Sequence, residues 1–239
     1  MSDLVLLHAG IADSRMWEPQ RESLAAAHTL HVSDLPGFGS EPLVPGRLSY
    51  VEWAAERTPA GAAVIGCSFG GRIALDLALE RPELVSRLVL VAPGLGGWTW
   101  SKQAQAGFAE EEEALERGDP GAAAEAQTHM WLADDADPAV RELVREMTVR
   151  TYELQLPMED EVEVVWPAPP AGERLGEVDV STLLVVGDQD VTDMLEIATL
   201  LEREIRGAQV VVIEGAGHLP SLEQPKAFDS AVLPFLAGV

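Results

Sequence analysis

The stretch that decides the fold is Ala63-Val64-Ile65-Gly66-Cys67-Ser68-Phe69-Gly70-Gly71-Arg72-Ile73-Ala74-Leu75. It joins an apolar run, which predicts a buried strand, to a G-x-S-x-G pentad and then to a helix-like run. A strand that turns abruptly into a helix at Ser68 holds that serine in strained backbone geometry with its hydroxyl projecting. Side chains at Gly66 or Gly70 would crowd the strand and the helix that meet there. Ser68 is therefore a candidate nucleophile.

Strands and helices alternate on both sides of this stretch. Apolar runs predict strands at residues 4–8, 30–35, the run before Ser68, 87–92, 181–187 and 209–213. Helices are predicted at residues 14–27, 49–57, from Ser68 to near 80, 195–205 and 225–236. This alternation predicts an α/β fold, a parallel sheet with helices on both faces, whose ligands bind beyond the carboxyl ends of the strands. His8, Asp34 and Ser68 all fall at those ends.

The alternation stops between about residues 93 and 170. Three helical segments follow there without a strand; one spans 101–117, and the others begin at Asp119-Pro120 and Asp137-Pro138, each an N-cap followed by proline. The glutamates 110–113 predict a solvated helix face. We predict a helical cap, residues 96–170, inserted into a core made of residues 1–95 and 171–239.

Large apolar side chains in this insertion suit either the roof of a pocket or the insertion's own core. The pocket candidates are Trp98, Met130, Trp131 and Trp166, with Trp100, Met147 and Met158 in the same apolar inventory.

Composition excludes several classes of partner. The net charge of −24 repels nucleic acid and anionic membrane surfaces. No basic N-terminal region and no apolar segment of membrane-spanning length is present, so a cytoplasmic protein is expected. The single cysteine, Cys67, excludes an internal disulfide and is expected to be a small buried hydrophobe. The histidine spacing suggests no metal site.

A serine hydroxyl needs a base to become a nucleophile, and that base needs a carboxylate to orient it. His218, in the loop after the last predicted strand, is the candidate base. Asp190 and Asp188 compete for the role of the acid, and Asp190 is favoured because it lies just beyond its strand. Asp193 is a third option that also suits a helix N-cap. The order Ser, Asp, His is the one expected on this architecture.

Two backbone amides are candidates for holding a developing oxyanion. The amide of Phe69 lies at the N-terminus of the helix after Ser68. The second is expected in the loop after the first strand, at Gly10 or, with the register shifted by one, at Ala9. His8, just before that loop, is expected to make structural hydrogen bonds.

With these residues placed, the chain resembles the α/β-hydrolase superfamily over nearly its whole length. The matching stretches are Leu6-Leu7-His8-Ala9-Gly10, Asp34-Leu35-Pro36-Gly37-Phe38-Gly39, Gly66-Cys67-Ser68-Phe69-Gly70-Gly71, Gly187-Asp188-Gln189-Asp190 and Gly215-Ala216-Gly217-His218. The resemblance implies Ser68 as nucleophile, Asp190 as acid, His218 as base and oxyanion amides at Gly10 and Phe69. Within this superfamily, the chain is similar to small capped carboxylesterases, including the type that cleaves pimeloyl methyl esters.

Two departures from that family stand out. His8-Ala9 replaces the usual His-Gly, a change that bears on the oxyanion loop. The chain also begins almost directly at Leu4, so we expect the two edge strands of the usual N-terminal β-hairpin to be missing. The expected results are an exposed sheet edge, an edge covered by a partner, or a shorter six-stranded sheet. The main hypothesis is a cofactor-free serine hydrolase that cleaves small neutral carboxylic esters through an acyl-enzyme. A thioesterase, a lactonase, a carbon–carbon bond hydrolase and a non-catalytic binding protein are the alternatives; the oligomeric state is not predicted.

Overall fold

The computed structural model describes residues 1–238, and Val239, the last residue of the predicted second core segment, lies outside the described residues. The strands are β1 (Ser2–Leu7), β2 (His28–Val32), β3 (Gly46–Leu48), β4 (Ala62–Cys67), β5 (Val85–Val91), β6 (Val162–Val164), β7 (Ser181–Gly187) and β8 (Gln209–Ile213). The helices are α1 (Arg21–Ala25), α2 (Tyr50–Arg57), α3 (Phe69–Glu80), α4 (Lys102–Glu116), α5 (Pro120–Trp131), α6 (Pro138–Gln155), α7 (Thr192–Glu204), α8 (Pro220–Glu223) and α9 (Pro225–Ala237).

The central sheet has the order β2-β1-β4-β5-β7-β8, and every neighbouring pair is parallel. Within residues 1–238 this sheet has six strands, which is one of the results expected from the sequence. The carboxyl ends of β1 and β4 are in register, with Leu7 opposite Gly66. The loops after these strands therefore meet at one edge of the sheet, which confirms the predicted α/β architecture.

The core lies between the sheet and the helices that flank it. Every residue of β4 is buried, because this central strand is covered on both faces. Helix α3 packs on β1, β4 and β5, and α9 packs on β7 and β8. The rings of Trp17 and Phe228, both fully buried, lie 6.2 Å apart and join the segment Ser14–Gln20 to α9. Among the described residues, no helix combines the length and the hydropathy that crossing a membrane requires.

Helices α4, α5 and α6 lie between β5 and β7, as predicted. Asp119 and Asp137 cap α5 and α6, accepting hydrogen bonds from Ala122 N and Ala139 N. The two ends of this insertion meet where the N–H of Gly172 donates to the carbonyl oxygen of Gly96 at 3.0 Å. A short parallel pairing of β3 with β6 was not predicted, because each strand has three residues and the two are far apart in the sequence.

The prediction of one helix over residues 14–27 was wrong. Residues Ser14–Gln20 form a 3₁₀-helix, and only α1 after it is α-helical. Pro19 has no N–H to donate and Asp13, rather than Ser14, is the N-cap residue. Ala27, at the end of the predicted helix, lies outside both helices and is exposed. The second strand was also misplaced: β2 starts and ends earlier than the predicted residues 30–35.

Candidate active site

Ser68 connects β4 directly to α3, with φ of 52° and ψ of −110°. This positive φ is a strained conformation for a residue with a side chain, and strain of this kind clusters at functional sites. A Cβ at Gly66 would lie 2.3 Å from the carbonyl oxygen of Gly70, and one at Gly70 would lie 2.4 Å from that of Leu7. Only glycine fits either position, which confirms the predicted crowding around the turn.

His218 and Asp190 form a buried pair in the loops after β8 and β7. The Nδ1 atom of His218 lies 2.8 Å from Oδ2 of Asp190, and the two side chains are almost completely buried. The other oxygen of Asp190 accepts the N–H of Val191 at 2.8 Å. This arrangement holds Nδ1 as the protonated nitrogen and leaves Nε2, on the other side of the ring, as the acceptor.

The two competing carboxylates have other partners. Asp188 Oδ1 accepts the N–H of Gly215 at 2.8 Å, so it holds the turn before His218 without reaching the imidazole. Asp193 is not an N-cap, because Val191 occupies that position in α7. Its carboxylate accepts hydrogen bonds from the backbone and hydroxyl of Ser101 and from Nε1 of Trp98. Burial acts to raise the pKa of Asp193, but these hydrogen bonds outweigh it and lower the pKa.

Ser68 and His218 line the same cavity, which has a volume of about 290 Å³. Their side chains make no direct hydrogen bond within residues 1–238. Hydrogen bonds between catalytic side chains are often long without substrate and shorten when substrate binds. The other lining residues are Gly10, Ile11, Phe69, Arg72, Gly94, Leu95, Trp100, Phe108, Glu111, Gln127, Trp131 and Met194. A larger cavity of about 700 Å³, between α4, α6 and β6, shares only Glu111 with it.

Of the four predicted pocket residues, only Trp131 lines this cavity. Trp98 turns away to donate to Asp193, and Met130 packs against Gly107 of α4. Trp166 lies one layer behind the wall, with its ring 5.7 Å from that of Phe69. Spacing within the insertion could not reveal this, because the orientation of each side chain depends on how its helix docks.

Both predicted oxyanion residues, Gly10 and Phe69, line the cavity. They are close to each other, since a Cβ at Gly10 would lie 3.5 Å from Cβ of Phe69. The N–H of Ala9 instead donates to the sulfur of Met16 at 3.3 Å, inside the core. The geometry therefore favours Gly10 over Ala9 as the second oxyanion donor.

His8 holds the end of β1 against the loop after β2. Its Nδ1 lies 2.9 Å from Ala9 O, and its Nε2 accepts the N–H of Leu35 at 2.8 Å. A nitrogen that accepts carries no proton, so His8 is a neutral imidazole with its hydrogen on Nδ1. Complete burial lowers the pKa of His8, which agrees with this state. The predicted structural role is confirmed, and both ring nitrogens are occupied.

Trp131, at the end of α5, covers the imidazole of His218. The two ring centroids are 4.2 Å apart, and His218 N–H donates to Trp131 O at 2.8 Å. The carboxylate of Glu223 joins the same two segments, accepting from Ala133 N at 2.8 Å and from Gly217 N at 3.1 Å. Sequence reasoning missed this contact of the insertion with the His218 loop, because no local signal links segments so far apart.

The prediction that residues 110–113 form a solvated face holds for three of them and is wrong for Glu111. The Glu111 carboxylate accepts from the hydroxyl of Tyr152 at 2.6 Å and from Nε2 of Gln127 at 3.0 Å. Gln127 in turn accepts from Nε1 of Trp131 at 2.7 Å. Burial raises the pKa of Glu111. A chain of hydrogen bonds therefore supports the ring that covers His218.

Cys67 is fully buried beside Ser68, and burial raises its pKa well above the ordinary value of a thiol. A buried thiol with a raised pKa is a poor nucleophile, so the expectation of a structural cysteine is confirmed. Among residues 1–238, no group of three or more histidine, cysteine, aspartate or glutamate side chains is arranged to hold a metal ion.

A strained serine between a strand and a helix, a buried histidine–aspartate pair and an all-parallel core define a protein of the α/β-hydrolase class. The model of the alpha/beta hydrolase family matches residues 4–231. This chain belongs to that family, and the predicted superfamily and enzyme class are confirmed.

Curated relatives and solved structures agree with this assignment. The pimeloyl-[acyl-carrier protein] methyl ester esterase of Nitrosospira multiformis is 27% identical over 257 residues, covering 98% of this chain and 94% of the relative. Its counterpart from Nitrosomonas europaea is 27% identical over 95% of this chain and 93% of its own. In fold, the chain is similar to carboxylesterase CesB of Bacillus subtilis, with a TM-score of 0.82 at 22% identity over 100% of this chain and 84% of the other.

Proposed function

We propose that this protein is a serine hydrolase that cleaves small carboxylic esters through an acyl-enzyme. The observation that supports this proposal most directly is that the buried Asp190 holds Nδ1 of His218. Nε2 therefore remains as the base in a cavity that Ser68 also lines. The methyl ester esterase relatives, which match almost the whole chain, support the same chemistry.

In the first half-reaction, His218 Nε2 takes the proton of Ser68 as Oγ attacks the ester carbonyl. The N–H groups of Gly10 and Phe69 stabilise the negative charge on the carbonyl oxygen. The intermediate collapses when the bond to the alcohol breaks and His218 returns the proton to the departing oxygen. Asp190 stays ionised and stabilises the imidazolium.

Water completes the cycle. His218 takes a proton from water as the hydroxide attacks the acyl-serine, and the proton then returns to Ser68 Oγ while the carboxylic acid leaves. The cavity of about 290 Å³ is at the lower end of the range for ligand sites, which favours a short acyl group and a small alcohol. The insertion, residues 96–170, serves as the cap, since Trp100, Phe108 and Trp131 form part of the cavity wall.

The test is labelling with a fluorophosphonate, followed by mass spectrometry to locate the adduct. We expect labelling of the wild type at Ser68 and none of Ser68→Ala. Ser230→Ala, which removes an exposed serine, is the matched control and should label like the wild type. A folded wild type that does not react would refute the proposal and favour a binding protein. Rates on matched esters, thioesters and lactones then separate the hydrolase subclasses.

A further inference from the structure

Arg72 lies one helical turn after Ser68, at the start of α3. Its backbone N–H donates to Ser68 O at 2.9 Å, so its position is tied to that of the nucleophile. Its side chain lines the cavity that contains Ser68 and His218. Nothing in the proposed mechanism uses this arginine.

The charge of Arg72 is incompletely neutralised by the protein. Its Nε atom is buried and has no hydrogen-bond acceptor within residues 1–238. Asp76 is the carboxylate that pairs with it, yet Oδ2 lies 3.9 Å from Nε, beyond hydrogen-bond distance. A buried donor without an acceptor is costly, and a positively charged one more so. The side chain of Arg72 is 29% exposed where it lines the cavity, so the rest of the guanidinium is available to an acceptor on a ligand.

The guanidinium is also held in place for binding. Trp166 stacks on it, with Cζ 3.5 Å from the centre of the ring. Stacking uses the face of the guanidinium and leaves the N–H donors, which lie in its plane, free for hydrogen bonds. Because Trp166 restrains the side chain beforehand, little conformational entropy is lost when a ligand binds.

The rest of the cavity wall narrows the ligand chemistry. Arg72 is the only arginine or lysine among the described residues that line it, and Glu111, the only carboxylate there, is already bonded to Tyr152 and Gln127. A planar guanidinium fork matches a carboxylate, whereas a doubly charged phosphate would need further cations. The remaining wall is mainly aromatic and aliphatic, which suits a short hydrocarbon chain.

We propose that Arg72 binds a free carboxylate on the acyl part of the substrate, so that the preferred substrates are half-esters of short dicarboxylic acids. This inference rests on the proposed function and names its substrate class. It replaces the small neutral ester of the main hypothesis with an ester that carries a negative charge. The overall charge of −24 repels anions at long range, but salt at about 0.15 M screens fields beyond roughly 8 Å, and Arg72 acts within the cavity.

The first test compares two methyl esters of nearly equal shape: monomethyl glutarate and its uncharged monoamide analogue, with the succinate and adipate pairs to vary the length. At about 0.15 M salt, we expect wild-type kcat/KM to favour the charged ester by about 10- to 100-fold at the best length. Arg72→Gln should lower this ratio to about one. Arg81→Gln, at the C-cap of the same helix with a side chain that is 42% exposed, should leave the ratio unchanged.

A second measurement does not depend on turnover. Calorimetric titration of Ser68→Ala with monomethyl glutarate should show binding that the added Arg72→Gln change weakens at least tenfold, with circular dichroism confirming that both variants are folded. Hydrolysis of both esters at equal rates, with no effect of Arg72→Gln on binding, would overturn the carboxylate site and leave the hydrolase proposal standing. Binding that depends on Arg72, without hydrolysis by the wild type, would refute the hydrolase proposal and leave the carboxylate site standing.

Discussion

Asp76→Asn is expected to reduce the pH dependence of the stability of this protein. Asp76 is 3% exposed on α3, and the nearest cationic atom, Arg72 Nε, is 3.9 Å away. Burial raises the pKa of Asp76 from 3.8 to about 6, and the attraction of Arg72 opposes this rise only in part. The Asp76 carboxyl therefore binds its proton more tightly in the folded state than in the unfolded state.

The sign and size of the effect follow from proton linkage. Because the folded-state pKa is the higher one, the stability that Asp76 contributes is complete below the unfolded-state value of 3.8 and is lost as the pH rises through about 6. The loss over the full range is about 3 kcal/mol. About 2 kcal/mol of it falls between about pH 4.5 and about pH 7.5. Asparagine has the shape of the protonated carboxyl and does not titrate, so the variant avoids this loss.

Urea unfolding of both proteins at a series of pH values measures the difference. We expect the free energy of unfolding of Asp76→Asn, relative to wild type, to rise by about 2 kcal/mol from about pH 4.5 to about pH 7.5. Asp135→Asn, at an exposed aspartate, is the control and should follow the wild type. A difference between Asp76→Asn and wild type that stays constant over this range would refute the raised pKa.

Three further results are expected. Asp190→Asn should lower kcat by about 10⁴-fold because the imidazole loses its orienting carboxylate, whereas Asp188→Asn should leave it within about threefold; the opposite pattern would reassign the acid. Gly70→Ala should fail to give soluble folded protein, since its Cβ would lie 2.4 Å from Leu7 O, while Gly176→Ala has open space and should fold; a stable Gly70→Ala enzyme would contradict the crowding argument. Dialysis against EDTA should leave hydrolysis unchanged, and a loss restored by metal would disprove a metal-free mechanism.

The last two strands of the sheet and the helix next to the nucleophile were the easiest elements to predict from sequence. Strands β7 and β8 occupy the predicted residues, because a short continuous apolar run is a strong local signal. Helix α3 also ends at residue 80 as predicted, before Pro82. The 3₁₀-helix at residues 14–20 was missed because one proline changed a pattern that otherwise reads as α-helical.

Short sequence motifs predicted the chemical groups of the site, but they did not predict the residues that form the cavity wall. The pentad around Ser68 and the loop position of His218 made those residues the candidates, since a tight turn or a strand end imposes local requirements on sequence. The selection of Trp131 over Trp98 and Met130, and the appearance of Arg72 in the cavity, depend on which side of each helix faces the core. That orientation results from packing between distant segments.

The amino-acid sequence by itself determined the order of strands and helices, the sharp turn at Ser68 and the residue types available for catalysis, because each of these depends on neighbours within a few positions. Only the tertiary structure decided that Asp190 rather than Asp188 meets His218 and that Trp131 covers the imidazole. It also decided that Arg72 reaches the cavity while its Nε has no acceptor among residues 1–238. These are contacts through space between loops and helices far apart in the chain, and they exist only once the sheet brings its carboxyl ends together.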